Sequence, residues 1–239
     1  MKKRYFTAMR DSEIETAKPI ASVDLIIFVL AETGLEVLLA KRDTEPFAGQ
    51  WALPGGWIHL DEDADLEAAA RRVLKAKTGV ETPYLEQLQT FGNAVRDPRG
   101  WSLSVAYVAL LSAGELAARN DTPTTDAAWW PISGHTIGVP LVFDHPIIFQ
   151  AALARLRNKV EYSTLPVHLL PAGFTLGELQ SVYERILGRR LDKSAFRKRV
   201  AEANFVEAIP GEMRRASNRP AQVYRLKRPR STVLFDRTI

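Results

Sequence analysis

A few short runs of this chain hold the residues best suited to chemistry. Trp51-Ala52-Leu53-Pro54-Gly55-Gly56-Trp57 contains a glycine pair that allows positive φ or the close approach of a ligand, and a helix follows shortly after. Lys41-Arg42 and Arg96-Asp97-Pro98-Arg99-Gly100-Trp101 supply the charges. Arg42, Arg96 and Arg99 are able to grip phosphate with two donors each, Asp97 to accept from sugar hydroxyls, and Trp51, Trp57 or Trp101 to stack a base. Such a set suits a diphosphate flanked by sugars. Each member also has a plainer reading: Arg and Asp this close in a loop often pair with each other, and Trp is more often core than platform. The remaining run is basic. In Lys193-Ser194-Ala195-Phe196-Arg197-Lys198-Arg199-Val200 the spacing of Phe196 and Val200 marks an inward helical face. The outward residues are then Lys193, Ser194, Arg197, Lys198 and Arg199, with Arg214, Arg215 and Arg219 on a basic tip downstream.

The charge balance points the same way. A formal net charge of +4 over 239 residues is modest, but residues 160–239 hold 15 Lys and Arg against 8 Asp and Glu, whereas residues 1–159 hold 17 against 20. Clustered cations gain from phosphate neutralisation and counterion release, so a polyanion is the expected partner of the C-terminal third, a solvated basic tail being the bland alternative. The basic start Met1-Lys2-Lys3-Arg4 is not followed by an apolar run long enough for a signal peptide or membrane span, and a soluble, cytoplasmic protein is expected. With no cysteine and four His (59, 135, 145, 168) at unpaired spacings, no structural metal is expected.

These residues need a scaffold, and periodicity supplies one. Val23–Leu30 is a near-continuous apolar run of strand length, and Leu35–Ala40 follows across Glu32-Thr33-Gly34, which reads as a buried hairpin. Leu66, Ala69, Ala70, Val73 and Leu74 fall on one face of a helix over residues 63–78. Tyr84–Phe91, Ser102–Leu111 and Ala127–Pro131 are strand candidates, with Trp129 and Trp130 divided between core and surface, and 147–159 is a second helix. The fold class is therefore α/β, or α+β: a mixed sheet covered by helices. Between Tyr162 and Pro171 the period is lost, and a new helical unit begins at Thr175-Leu176-Gly177-Glu178, a capping box. Gly188 ends that helix, Asp192 or Ser194 caps the next, and Phe205–Ile209 and Gln222–Leu226 form a hairpin around the basic tip. Helix, turn, basic helix and basic hairpin is the order of a winged helix. Two domains follow, 1–159 and 160–239. His145, in Phe143-Asp144-His145-Pro146, reads as part of a helix cap, with a role in the pocket as the lesser alternative.

From Gly56 through Glu62 to Arg72 and Gly79 the sequence resembles the Nudix hydrolase box, and the similarity runs over roughly residues 20–155. The resemblance implies a Nudix-type sheet sandwiched by helices. In that family helical glutamates hold a divalent metal against a diphosphate, where it screens charge and activates water. Here those positions carry Val73, Ala76 and Lys77, and the stretch between Glu62 and Arg72 is two residues longer than usual. The resemblance thus implies a pocket that binds without hydrolysis; an enzyme using a displaced carboxylate such as Glu62 is the alternative. The Arg96-Asp97-Pro98-Arg99-Gly100 segment is similar to that of ADP-ribose pyrophosphatase-like Nudix proteins.

A degenerate Nudix box joined to a winged helix resembles the Nudix-related transcriptional regulators of NAD metabolism, the NrtR-type repressors. The resemblance implies a homodimer on a palindromic operator in double-stranded DNA, released by ADP-ribose or a related adenine nucleotide, with no cofactor and no membrane partner. Competing readings are a working Nudix ADP-ribose pyrophosphatase with an accessory domain and an RNA-processing protein. The latter lacks the exposed aromatics that base stacking would need in the C-terminal part.

Overall fold

In the computed structural model, the described residues are 18–81, 84–117, 126–215, 220–228, 232–235 and 239. The hairpin forms as the apolar runs dictate: β1 (Ile20–Leu30) pairs antiparallel with β2 (Leu35–Lys41), Phe28 opposite Val37. Short strands β3 (Trp51–Ala52) and β4 (Gly55–Trp57) pair with β2 and β1. On the far side of β1, β6 (Ser102–Leu111) runs parallel to it, and β5 (Tyr84–Asn93) closes that edge. β7 (Ala127–Ser133) and β8 (Thr136–Ile137) extend the other edge, giving the order β5-β6-β1-β2-β7-β8.

Both faces of this sheet are covered, which is why β1 reads as a continuous apolar run rather than an alternating one. Val23, Leu25 and Ile27 face helix α1 (Leu66–Thr78) with Ala70, Val73 and Leu74. Ile26, Phe28 and Leu30 face α3 (His145–Tyr162) with Ile148, Phe149 and Leu153; a short α2 (Ala113–Ala117) follows β6. α1 starts at the Asp65 cap, later than the residue 63 expected from periodicity, because Asp63 is drawn out of the helix to bind Arg72. Trp129 and Trp130 are both half-buried, one against each helical layer, so neither is the free surface residue expected.

The C-terminal unit is a winged helix. β9 (Phe174–Thr175) leads through the Thr175/Glu178 capping box into α4 (Leu176–Leu187), which ends at Gly188 in the left-handed region. Asp192 caps α5 (Lys193–Ala203), and the hairpin β10 (Val206–Arg215) with β11 (Pro220–Leu226) completes a sheet ordered β10-β11-β9. The expected loop from Pro210 is instead continued strand as far as Arg215. A register shift between Ala208 and Met213 accommodates Pro210 and Gly211, an irregularity that interrupts the pairing there before it resumes at Met213.

The segment between the two units is not a loose linker. α3 runs through the boundary expected at residue 159, and Leu165–Leu169 form a buried 3-10 helix that packs against α3 and α4. One apolar cluster consequently passes without a break from Phe28 and Phe149 through Leu165 and Val167 to Tyr183 and Phe196. Among the described residues, no helix is long and apolar enough to cross a membrane.

Candidate functional site

A cleft of about 220 Å³ opens where β1, β2, the Gly-Gly turn, the 96–99 loop and the start of α3 converge. The glycine pair is there because of close approach, not positive φ. β4 crosses β1 with Gly55 opposite Asp24, and a Cβ on Gly55 would overlap the Asp24 carboxylate and stand 2.9 Å from the Val23 carbonyl. A Cβ on Gly56 would come within 3.2 Å of the Val73 side chain on α1. Backbone can therefore line this wall where a side chain could not.

Of the expected ligand-contacting residues, Arg42, Gly55, Gly56, Trp57, Arg96, Asp97 and Arg99 line the cleft. Trp51, Glu62 and Trp101 do not. Trp51 meets Trp130 edge to face at 5.3 Å, and Trp101 is a half-exposed residue outside the cleft wall. Glu62 lies on the outer loop beside His59, at 3.0 Å, and 3.9 Å from Arg72. Arg72 itself is held by Asp63 through two 2.8 Å hydrogen bonds and donates to the Trp57 carbonyl, pinning that loop to α1.

The arginines differ in what neutralises them. Arg96 is buried and donates to both Asp144 oxygens at 2.9 Å, with Asp24 at 3.5 Å, so it is a strut of the floor. Arg99 forks onto Asp97 at 3.0 and 2.7 Å and lies over the Trp57 ring at 4.9 Å. That pairing is the plainer alternative open to a loop Arg and Asp, and its hydrogen bonds hold the Asp97 carboxyl below its ordinary value. Among the described residues the Arg42 side chain donates to backbone carbonyls, those of Pro46 and Thr44, and it covers the Phe143 ring at 4.8 Å. Burial, and next the charge of Arg99, lower its pKa. Asp43, Asp97 and Asp24 oppose that shift, so the cations of the cleft are partly balanced by its own carboxylates.

His145 proves to be a wall of the cleft, not a cap. Its Nδ1 accepts from the Leu53 N–H at 2.9 Å, which leaves a neutral ring its proton on Nε2, 3.7 Å from Asp24. Burial pushes its pKa down and keeps it neutral. Asp144 occupies the N-cap position of α3 but makes no cap bond, its carboxylate being spent on Arg96. Asp24 escaped sequence reasoning, its one signal being a lone carboxylate inside the apolar run of β1, and Phe143 and Asp144 read in the sequence only as neighbours of a cap.

The metal that a Nudix box implies finds no donors at the helix positions of the box. Val73 is buried in the α1 core, Ala76 is exposed, and Lys77 lines the cleft. Among the described residues no group of three or more His, Cys, Asp or Glu is placed to hold a metal ion. These residues do not fit the group.

In the winged helix, Phe196 packs on Tyr183 at 5.4 Å and Val200 is buried, leaving Lys193, Ser194, Arg197 and Lys198 exposed and Arg199 half-buried. Asp192, not Ser194, takes the cap, accepting from the Ala195 N–H. Arg214 is not on a loose tip: it lies in β10, binds both Glu178 oxygens at 2.8 Å and donates to the Gly173 carbonyl. Arg215 is exposed opposite Pro220, and Arg219 lies outside the described residues.

Comparison with known proteins agrees with both halves. Residues 21–138 match the NUDIX domain family, and residues 166–226 match the NrtR DNA-binding winged helix domain. A relative from Acinetobacter baylyi, described as an ADPR responsive transcriptional repressor NtrR, is 44% identical over 207 residues, covering 87% of this chain and 82% of the relative. The crystal structure of Shewanella oneidensis NrtR complexed with a 27mer DNA superposes with a TM-score of 0.83 at 39% identity, over 92% of this chain and 99% of that one. The NUDIX domain of the same protein, complexed with ADP ribose, matches with a TM-score of 0.52 at 36% identity, over 62% of this chain and 99% of that one. With a Nudix-type cleft and a basic winged helix packed through one core, this chain belongs to the NrtR family of Nudix-related transcriptional regulators.

Proposed function

We propose that the protein is an ADP-ribose-responsive transcriptional repressor of NAD metabolism genes, in which residues 1–159 sense the nucleotide and residues 160–239 read operator DNA. The observation that carries this reading is the cleft itself: cations converge on a Gly-Gly turn while the helix beside it offers Val73, Ala76 and Lys77 in place of metal-binding carboxylates. A diphosphate held but not cleaved is useful only if its occupancy is read elsewhere, and a basic helix with its apolar side buried is the reader in the same chain. Relatives described as an ADPR responsive repressor and as complexes with DNA and ADP ribose support the same assignment.

In this reading α5 enters the major groove with Arg197 and Lys198 at base edges, while Lys193, Ser194, Arg199, Arg215 and Arg219 approach phosphate. Arg214 joins them only by giving up Glu178. Arg42, Arg99 and the Gly55-Gly56 turn face the diphosphate, Trp57 the base, and the protein acts as a cytoplasmic homodimer without a cofactor. The test is a titration of the protein bound to an operator-bearing DNA fragment with ADP-ribose, NAD and ATP, alongside a turnover assay with magnesium. Release by ADP-ribose and negligible turnover are expected. Turnover on the order of 1 per second or faster, typical of enzymes, would establish a pyrophosphatase instead.

A further inference from the structure

Five cationic side chains line the cleft, and four have a visible local partner. Arg96 is matched by Asp144 and Asp24, and Arg99 by Asp97. Lys41 lies over the Trp51 ring at 5.3 Å, and Arg42 is tied to two carbonyls. Lys77 is the exception: among the described residues no carboxylate lies within ion-pair distance of it, although its neighbour Lys75 has Glu81 at 2.8 Å. Its position follows from the helix. Val73 on α1 presses against Gly56, and residues four apart share a helical face, so Lys77 lies one turn further along the same stripe, beside the Gly-Gly turn.

We propose that the Lys77 ammonium is the built-in cation of this cleft, standing in for a divalent metal against a diphosphate, so that the nucleotide binds without metal. The proposal rests on the ADP-ribose reading above. A diphosphate in a Nudix-type site needs its charge screened; here the helix that would carry the metal's carboxylates carries a fixed positive charge instead. One cation cannot coexist at this point with another, because Lys77 would repel a divalent ion as it attracts phosphate. A half-buried ammonium without a carboxylate partner has its attraction still to spend.

The experiment is calorimetric titration of the full chain with ADP-ribose, once in excess EDTA and once in millimolar magnesium. Affinity is expected to agree within about twofold between the two, and Lys77→Ala to weaken binding by about 10- to 100-fold, the span of a charge-assisted hydrogen bond. Lys77→Arg should retain most of the affinity, and Lys77→Glu should bind no ligand in EDTA. Unchanged thermal midpoints for these variants separate lost recognition from lost folding. A tenfold loss of wild-type affinity in EDTA, or wild-type affinity in Lys77→Ala, overturns the proposal. If ADP-ribose does not bind at all, the functional reading fails and inorganic pyrophosphate becomes the probe. Pyrophosphate binding that is indifferent to EDTA and lost in Lys77→Ala sustains the built-in cation, and its absence overturns it.

Discussion

Replacing Asp144 by Asn keeps the shape of the side chain and removes its charge, which leaves the Arg96 guanidinium buried with a neutral partner. The Arg96 side chain is 5% exposed, and its two 2.9 Å hydrogen bonds to a carboxylate are replaced by at most one, to the Asn amide oxygen, with the amide NH2 facing the guanidinium. Breaking a buried pair from one side costs about 3–5 kcal/mol. Asp24, at 3.5 Å, and the Ser102 hydroxyl, at 3.4 Å, offset part of the loss, which favours the low end of that range, about 3 kcal/mol. For a protein of this size that corresponds to a fall in Tm of about 6–12 °C. Urea unfolding followed by the fluorescence of the 5 tryptophans gives the free energy directly. Asp97→Asn is the control, because its partner Arg99 is 35% exposed and such a pair contributes about 0–1 kcal/mol. A cost below about 1 kcal/mol for Asp144→Asn, or an equal cost for the two variants, would refute the claim that Arg96 is a structural strut and return it to the pool of ligand-binding arginines.

Arg197→Ala with Lys198→Ala should abolish operator recognition while leaving the salt slope of non-specific DNA binding, set by the phosphate-facing residues, largely unchanged, read from binding isotherms at several salt concentrations; an unchanged operator affinity would mean that the DNA face is elsewhere. Gly55→Ala forces a Cβ against Asp24 and Val23 and should cost about 1–3 kcal/mol in urea unfolding, as overpacking does, together with ligand affinity; a change under about 0.5 kcal/mol would contradict the close crossing of β4 over β1. Burial lowers the pKa of His168 to about 4, whereas an unfolded His titrates near 6.5. The stability gained by keeping it neutral is complete above 6.5, falls as the pH drops below that value and is gone by about 4, a loss of about 3 kcal/mol. His168→Gln should remove this part of the pH dependence from urea midpoints, and a curve parallel to the wild type would show that His168 titrates freely.

Local rules governed what was legible in the sequence. The β1–β2 hairpin, the Thr175/Glu178 capping box, the Gly188 stop and the inward pair Phe196 and Val200 all rest on contacts between residues a few positions apart, and each forms as expected. Charge partners were less legible because they are chosen by the fold. Arg96 finds Asp144 across 48 residues, and Arg214 finds Glu178 across 36. The stretch from Leu165 to Leu169 misled for another reason: a 3-10 turn buried on all sides has no polar face, so it shows no period to read. Similarly, Asp144 and His145 fit a cap by composition, but the cleft uses both side chains first.

The buried link constrains how a nucleotide in the cleft could act on DNA. Flexible linkers uncouple domains, but here α3 begins in the cleft wall at His145 and ends against the 3-10 turn, where the Tyr183 hydroxyl of α4 donates to the Ser163 carbonyl at 2.7 Å. The C-terminal segment reinforces the joint, with Thr164 and Tyr162 bonded to Val233 and Phe235. From α4, Arg185 reaches back to the carbonyls of Ala31 and Glu32 at the β1–β2 turn. A change at the cleft therefore cannot be absorbed by a hinge inside this joint without breaking packed apolar contacts. It must move α3 and the winged helix together. In the proposed homodimer, two recognition helices on successive major grooves must stand about 34 Å apart, so a small rigid displacement in each copy would spoil the match. Because a ligand shifts such an equilibrium only as far as it prefers one arrangement, operator DNA must weaken the nucleotide by the same factor by which the nucleotide weakens the operator.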